Sequence, residues 1–337
     1  MHSRWKKVLF AGISVLTLTI AAGCSNGGSG GTDATTVRLG HTLTEDSSWQ
    51  AGAEQFAEII EEETDGRYEV EIFANGQLAS GNQRKAIEML RQGSYDVDIT
   101  SALIWSSFDE ALGITALPWI LPTLDEAKKV IEGDGGEMLL DILDDNGVKA
   151  VAVGETGYRQ MANNTRQIES SEDLKGLKMR VPGTPLFLDL YDELGADPVE
   201  MDFTEVFTAL QQGTIDGMEG VPDVIVTNRF HEALKYLSLT NYNFDFFFTT
   251  FSNDFYDELS GEDQEIFMKA GQEATVFATE HARSSNKEAI EILSEEVEVH
   301  EPSENELATF RDSVSGIYDQ YRGTFSSELR DAFKYPE

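Results

Sequence analysis

The side chains that most often carry catalysis or hold metals are few in this sequence and poorly spaced for either task. Its five histidines are scattered, and neither HExxH nor another metal-ligand spacing is present. There is no GxSxG nucleophile elbow, no GxxxxGK[ST] phosphate loop and no GxGxxG. Acidic pairs occur along the whole chain, which is typical of a solvated surface rather than of acid–base catalysis. We therefore predict no enzymatic activity, no metal site and no cofactor.

The charge balance of the chain is strongly acidic. Its 337 residues include 61 Asp and Glu against 25 Lys and Arg, for a formal net charge of −36. Such a field repels phosphate, so we expect no nucleic acid partner and no electrostatic binding to anionic lipid. With 40% hydrophobic and 10% aromatic residues, the chain still has the composition of a packed protein. A single cysteine excludes a disulfide framework and cysteine-based zinc or iron–sulfur sites.

The first 36 residues are typical of export and tethering. Three basic residues precede an apolar run over residues 8–22, which has the length of a signal-peptide core and is short for a membrane span. Small residues then lead into Cys24, as in a bacterial lipobox. We expect residues 1–23 to be a lipoprotein signal peptide and Cys24 to anchor the protein to the outer face of the cell membrane. An ordinary secretory signal is the alternative. Residues 24–36 resemble a flexible linker.

The remainder of the chain alternates predicted strands and helices. A β-α-β-α-β order over residues 37–101 and a second alternating region over residues 147–219 indicate mostly parallel sheets covered by helices. Separate strands are predicted at 235–241 and 246–253, and the chain is mainly helical from Gly261 onward. We predict an α/β fold with two lobes. Residues 37–155 plus about 246–285 form one lobe, and residues 156–245 plus about 286–337 form the other, with hinge segments near Gly154 and at Phe246–Phe251.

The chain also contains a series of short motifs in a fixed order, which is more specific than the alternation of strands and helices. The segment DLKGLKMRVP at 173–182 is followed by LGADP at 194–198, EVFTALQQG at 205–213 and IDGMEG at 215–220. The N-terminal half adds IFANGQL at 72–78 and LPW at 117–119. This series resembles the DctP-type solute receptors of tripartite ATP-independent periplasmic (TRAP) transporters. The resemblance covers roughly residues 37–335.

The resemblance implies a two-lobed fold of the class II periplasmic-binding-protein type, with hinge-crossing strands and a long C-terminal helical region. It further implies an extracytoplasmic receptor that captures a small organic acid between the lobes. The receptor would deliver this ligand to the TRAP membrane permease subunits, which an ion gradient drives. Two alternatives stay open: a substrate-binding lipoprotein of an ATP-driven (ABC) importer, and an extracytoplasmic ligand sensor.

The resemblance also assigns candidate ligand contacts. Arg180 matches the principal carboxylate-binding arginine of the family, and Arg159 matches a second arginine upstream. A guanidinium suits this role because its planar fork donates two parallel charge-assisted bonds to a carboxylate. Gly220 departs from the asparagine that many relatives carry, so a side-chain donor is missing there. The remaining candidates are Phe203, Ser101, Trp105, His41, Trp49 and Tyr242.

Overall fold

Residues 34–336 are described by a computed structural model, in which strands and helices alternate along the chain. The predicted signal peptide and Cys24 lie outside these residues. Within residues 34–336 the strands are β1 (Thr35–His41), β2 (Tyr68–Phe73), β3 (Val97–Ser101), β4 (Val148–Asn163), β5 (Lys178–Val181), β6 (Asp197–Glu200), β7 (Gly217–Gly220), β8 (Tyr236–Ser252) and β9 (Glu298–His300).

Helices connect and cover these strands. They are α1 (Ser48–Glu63), α2 (Gln83–Arg91), α3 (Ala102–Trp105), α4 (Leu124–Ile131), α5 (Asp134–Asp145), α6 (Pro185–Glu193), α7 (Val206–Gln212), α8 (Pro222–Thr227), α9 (Asn253–Glu258), α10 (Gly261–Glu296), α11 (Glu304–Ser313), α12 (Ser315–Tyr321) and α13 (Ser327–Ala332). Within the described part of the chain, no helix combines the length and the apolar run that crossing a bilayer requires.

The strands form one sheet in the order β2-β1-β3-β8-β4-β7-β5-β6, with β9 paired to β8. At one end, β1 lies parallel to both β2 and β3. At the other end, β5 lies parallel to both β6 and β7. The antiparallel pair β4 and β8 joins these two parallel groups. The sheet therefore has two α/β halves that share their two longest strands.

The central strand β8 is longer than the sequence predicts. The structure has 16 residues in β4 and 17 in β8, so the prediction of two separate strands at 235–241 and 246–253 was wrong. The polar residues between those segments are buried and bonded instead of forming a loop. Asn243, for example, is 1% exposed, and its Nδ2 donates to the Thr115 carbonyl oxygen at 2.8 Å.

Register shifts interrupt the pairing of β4 with β8 at three places. They lie between Ala150 and Ala152, between Glu155 and Gly157, and between Arg159 and Met161. An extra residue on one strand bends that strand and changes the direction in which its side chains point. The two last shifts thus fall next to Arg159, one of the predicted ligand contacts.

Helix α1 illustrates how local sequence and packing agree. Its N-terminus is capped by Ser47, whose Oγ accepts from the Gln50 backbone N–H. Its apolar side chains at helical spacing, including Phe56, are buried against the core. A Cβ added at Gly52 would lie only 2.7 Å from the Ala278 Cβ, so glycine permits close packing against α10. Helix α10 has 36 residues and also packs against β4 and α8.

Candidate ligand-binding site

A cavity lies where the two halves of the sheet meet, lined by residues of β3, β4, β5, β7 and β8 and by the first turn of α1. The volume open to the centre of a water-sized molecule is about 40 Å³. Among the described residues, its charged lining consists of two arginines, Arg159 and Arg180, and two acids, Glu219 and Asp245. The rest of the lining is mainly apolar.

Arg159 extends from β4 and is neutralised by two buried acids. Its Nη2 donates to Glu219 Oε1 at 2.8 Å, and its Nε donates to the other oxygen of the same carboxylate. Its Nη1 donates to Asp245 Oδ2 at 2.6 Å. Burial lowers the pKa of Arg159, but the two carboxylates outweigh burial and hold the pKa above its ordinary value. This guanidinium is fixed as an ion, with most of its donors already used.

The two acids are held in turn by neutral hydroxyl groups. The Tyr242 hydroxyl donates to Glu219 Oε2 at 2.7 Å. The Ser101 hydroxyl donates to Asp245 Oδ1 at 2.7 Å. Both carboxylates are almost fully removed from solvent, and each of their four oxygens accepts at least one bond from the protein. The acids therefore serve to position Arg159 and have little remaining capacity to bind a ligand donor.

Arg180 extends from β5 and is neutralised much less completely. Its Nε and Nη2 both donate to the Met201 carbonyl oxygen, at 3.2 and 3.0 Å. Within the described residues, its only carboxylate contact is an approach of 3.9 Å from Nη1 to Glu219 Oε1. Burial, followed by the like charge of Arg159, lowers the pKa of Arg180 to about 10, although Glu219 opposes this. An anion at Nη1 would stabilise this buried cation.

Two aromatic side chains, Phe203 and Trp49, belong to the cavity lining. The ring centre of Phe203 is 5.8 Å from the Arg180 Cζ, within the distance at which a cation and an aromatic ring attract. Trp49 packs against Phe247 with the two rings tilted relative to each other, and it is 2% exposed.

The structure brings six of the nine predicted contacts to the cavity. The lining includes Arg159, Arg180, Phe203, Ser101, Trp49 and Gly220. The other three are buried elsewhere: Tyr242 lies behind Glu219, and Trp105 belongs to the core. His41 Nε2 pairs with Gln50 Oε1 at 2.9 Å, and burial lowers the pKa of His41 to about 4. Direct contact of any of these residues with a ligand stays a prediction.

Sequence reasoning missed the two acids that surround Arg159. Glu219 belongs to the IDGMEG motif, but carboxylates are so frequent in this chain that a single one carries no signal. Asp245 lies among aromatic residues in NFDFFF. A single acid in such an apolar strand was the one sequence feature that could have indicated a buried, functional carboxylate. No three His, Cys, Asp or Glu side chains among residues 34–336 converge as they would around a metal ion.

Comparison with known proteins gives the class of the protein. The DctP family model, described as bacterial extracellular solute-binding protein family 7, matches residues 39–324. A solute-binding protein from Verminephrobacter eiseniae is 33% identical over 239 residues, which is 71% of each chain.

Two solved structures extend the match to three dimensions. One is the sugar acid binding protein DctPAm from Advenella mimigardefordensis in complex with galactonate. It is 30% identical, with a TM-score of 0.86 over 90% of this chain and 98% of that one. The other is a TRAP periplasmic solute-binding protein from Bordetella bronchispeptica, with density interpreted as pantoate. It is 32% identical, with a TM-score of 0.84 over 90% of this chain and all of that one.

The two-lobed α/β fold matches that of the solved solute-binding proteins, and their family consists of extracytoplasmic receptors rather than enzymes. The chain belongs to the DctP family, family 7 of the bacterial extracellular solute-binding proteins, whose members are the receptors of TRAP transporters.

Proposed function

We propose that this receptor binds a small organic acid and that Arg180 holds the ligand carboxylate. The observation that supports this assignment is the contrast between the two buried arginines. Arg159 already donates to two carboxylates, whereas Arg180 donates, within residues 34–336, only to a carbonyl oxygen. A buried cation without a hydrogen-bonded counter-ion is unfavourable, and a ligand carboxylate at Arg180 would remove that penalty.

The named ligands of the relatives agree with this chemistry. Galactonate and pantoate differ in size and in the number of hydroxyl groups, but each carries a carboxylate. A carboxylate is therefore the feature that we transfer to the ligand of this chain. We further propose that the ligand passes from here to a TRAP permease, the type of partner with which the family works.

The proposed movement is closure of two lobes over the ligand. We assign residues 37–155 plus about 246–285 to one lobe and residues 156–245 plus about 286–337 to the other. Strands β4 and β8 would then form the hinge, because they carry Arg159 and Asp245 and their pairing is interrupted by three register shifts. Closure excludes water, which strengthens charge-assisted bonds.

A lipid anchor on Cys24 is part of the proposal and requires its own test. Mass spectrometry of the membrane fraction should find a lipid-modified N-terminal cysteine on the wild type. A Cys24→Ala variant should lack this modification and leave the membrane fraction. An unmodified wild-type protein processed at another residue would contradict the anchor.

Calorimetry with Arg180→Ala tests the carboxylate assignment. A thermal-shift screen with succinate, gluconate, 3-methyl-2-oxobutanoate and benzoate first selects the acid that binds most tightly. For that acid we expect Arg180→Ala to weaken binding at least 30-fold, since loss of one partner of a buried charge pair costs about 2–5 kcal/mol. Arg311→Ala is the matched control, because Arg311 pairs with Glu304 at the surface at 3.3 Å. Equal affinity of both variants and the wild type would refute the assignment.

A further inference from the structure

We infer that the ligand is a monocarboxylate whose other end is mainly apolar and carries one oxygen acceptor, as in a branched 2-oxo acid. This inference rests on the proposed function, because it takes the carboxylate at Arg180 as its starting point. It follows from three properties of the cavity: its charge, its apolar lining and its unpartnered donors.

The charge of the cavity favours one carboxylate over two. Its four charged side chains, two arginines and two acids, sum to zero. A first carboxylate has Arg180 as its partner. A second one would find Arg159 occupied by Glu219 and Asp245 and would lie near both acids without a cation of its own. Burying an unpaired charge is far more costly than burying an apolar group, so a dicarboxylate is disfavoured.

The lining disfavours a chain of hydroxyl groups. Every buried hydroxyl needs a hydrogen-bond partner, and an unmatched one weakens binding. Much of the wall is formed by Leu43, Leu103, Ile104, Phe203, Val221 and Val224. Several polar lining groups are already paired with each other: Gln83 donates to Thr42 at 3.2 Å, and Ser101 donates to Asp245. Gly220 adds no side-chain donor. Such a wall fits methyl groups better than a sugar acid.

Two lining residues do carry buried donors without a partner. Trp49 Nε1 and Thr156 Oγ1 are both removed from solvent, and among the described residues neither has a hydrogen-bond partner. An indole N–H can only donate, so the ligand group that would satisfy Trp49 is an acceptor oxygen. An oxo or hydroxyl oxygen beside the carboxylate would satisfy this donor, and the Thr156 hydroxyl could bond the same oxygen.

Calorimetry with four acids separates these expectations. The panel is 3-methyl-2-oxobutanoate, 3-methylbutanoate (the same carbon skeleton without the oxo oxygen), succinate as the dicarboxylate and gluconate as the sugar acid. We expect the oxo acid to bind at least tenfold more tightly than each of the other three. Tighter binding of succinate or gluconate that still depends on Arg180 would overturn this inference and leave the proposed function standing. No binding of any carboxylate would overturn both.

A pair of tryptophan variants tests the donor. Trp49→Phe removes the unpartnered indole N–H of a residue that lines the cavity, whereas Trp105→Phe removes an indole N–H that is also unpartnered among the described residues but belongs to a residue outside the lining. Trp49→Phe should reduce the preference for 3-methyl-2-oxobutanoate over 3-methylbutanoate at least fivefold. Trp105→Phe should leave this ratio unchanged. Because the readout is a ratio of two affinities in one variant, a general loss of folded protein would not mimic the result. An unchanged ratio in Trp49→Phe would overturn the assignment of its donor.

Discussion

Replacing Glu219 with glutamine should make the unliganded receptor less stable and yet make it bind acids more tightly. Glu219 is fully buried and accepts bonds from Arg159 and from the Tyr242 hydroxyl. Among the described residues it is also the only acid within 4.0 Å of the Arg180 guanidinium nitrogens, at 3.9 Å. Glutamine keeps the shape of the side chain and removes its charge.

The magnitude of both effects follows from these contacts. Removing one partner of a buried ion pair costs about 3–5 kcal/mol, and we expect the lower end because Asp245 still offsets Arg159. For a domain of about 300 residues, about 3 kcal/mol corresponds to a decrease of about 5 °C in Tm. A ligand carboxylate at Arg180 would lie close to Glu219, and relief of that repulsion is worth about 1–3 kcal/mol. Affinity should therefore rise roughly tenfold.

Thermal unfolding and calorimetry on the same preparation measure both effects. Glu304→Gln is the matched control, because Glu304 is 82% exposed and pairs with Arg311 at the surface. Its Tm should change by less than about 2 °C, since exposed pairs contribute about 0–1 kcal/mol. A Glu219→Gln variant that melts like the wild type would refute the buried-pair reasoning. A variant that binds acids as poorly as Arg180→Ala would show that Glu219 supports the anion site instead of opposing it.

Two further predictions concern the strands that support the site. Gly157 has a φ of +128°, and an added Cβ would lie 2.7 Å from Asn286 Nδ2. Gly157→Ala should therefore lower the free energy of unfolding, measured in urea, by about 1–3 kcal/mol. Gly261→Ala is the control and should not lower it, because its Cβ would meet open space. Equal stabilities of the two variants would contradict the strain. Burial raises the pKa of Asp98 from 3.8 to about 6, so the folded state binds more protons than the unfolded state between those values, and this group's contribution to stability falls as pH rises. Asp98→Asn removes that pH dependence, so the free energy of unfolding of the variant should rise by up to about 3 kcal/mol relative to that of the wild type between pH 4 and pH 7. Stability curves that run parallel over this pH range would contradict the prediction.

Much of the fold was predictable because local patterns and packing agree. The stripe of apolar residues predicts helix α1, and Thr184-Pro185 predicts the start of α6. The structure has a helix at both places. The continuity of β8 was not predictable in this way. Its polar residues resemble a break until their partners on distant segments are known, as for Asn243 and the Thr115 carbonyl.

The site was predictable only in part, for a related reason. Arg180 and Arg159 could be selected from their motifs, but their unequal neutralisation depends on strand register. Asp245 lies opposite Gly157 in the pairing of β8 with β4, and it accepts from both Arg159 and Ser101, residues 86 and 144 positions away. Contacts over such separations leave no local pattern in the sequence. The sequence of one protein therefore does not show which arginine has a free donor.

The central claim is that Arg180 holds the ligand carboxylate while Arg159 stays paired with protein acids. A crystal structure of the receptor with its tightest-binding acid tests this claim most directly. We predict a carboxylate oxygen within about 3 Å of an Arg180 guanidinium nitrogen, the range of charge-assisted hydrogen bonds, with Arg159 still bound by Glu219 and Asp245. A carboxylate that lies on Arg159, with Glu219 displaced and Arg180 bound only to the Met201 carbonyl, would contradict the account.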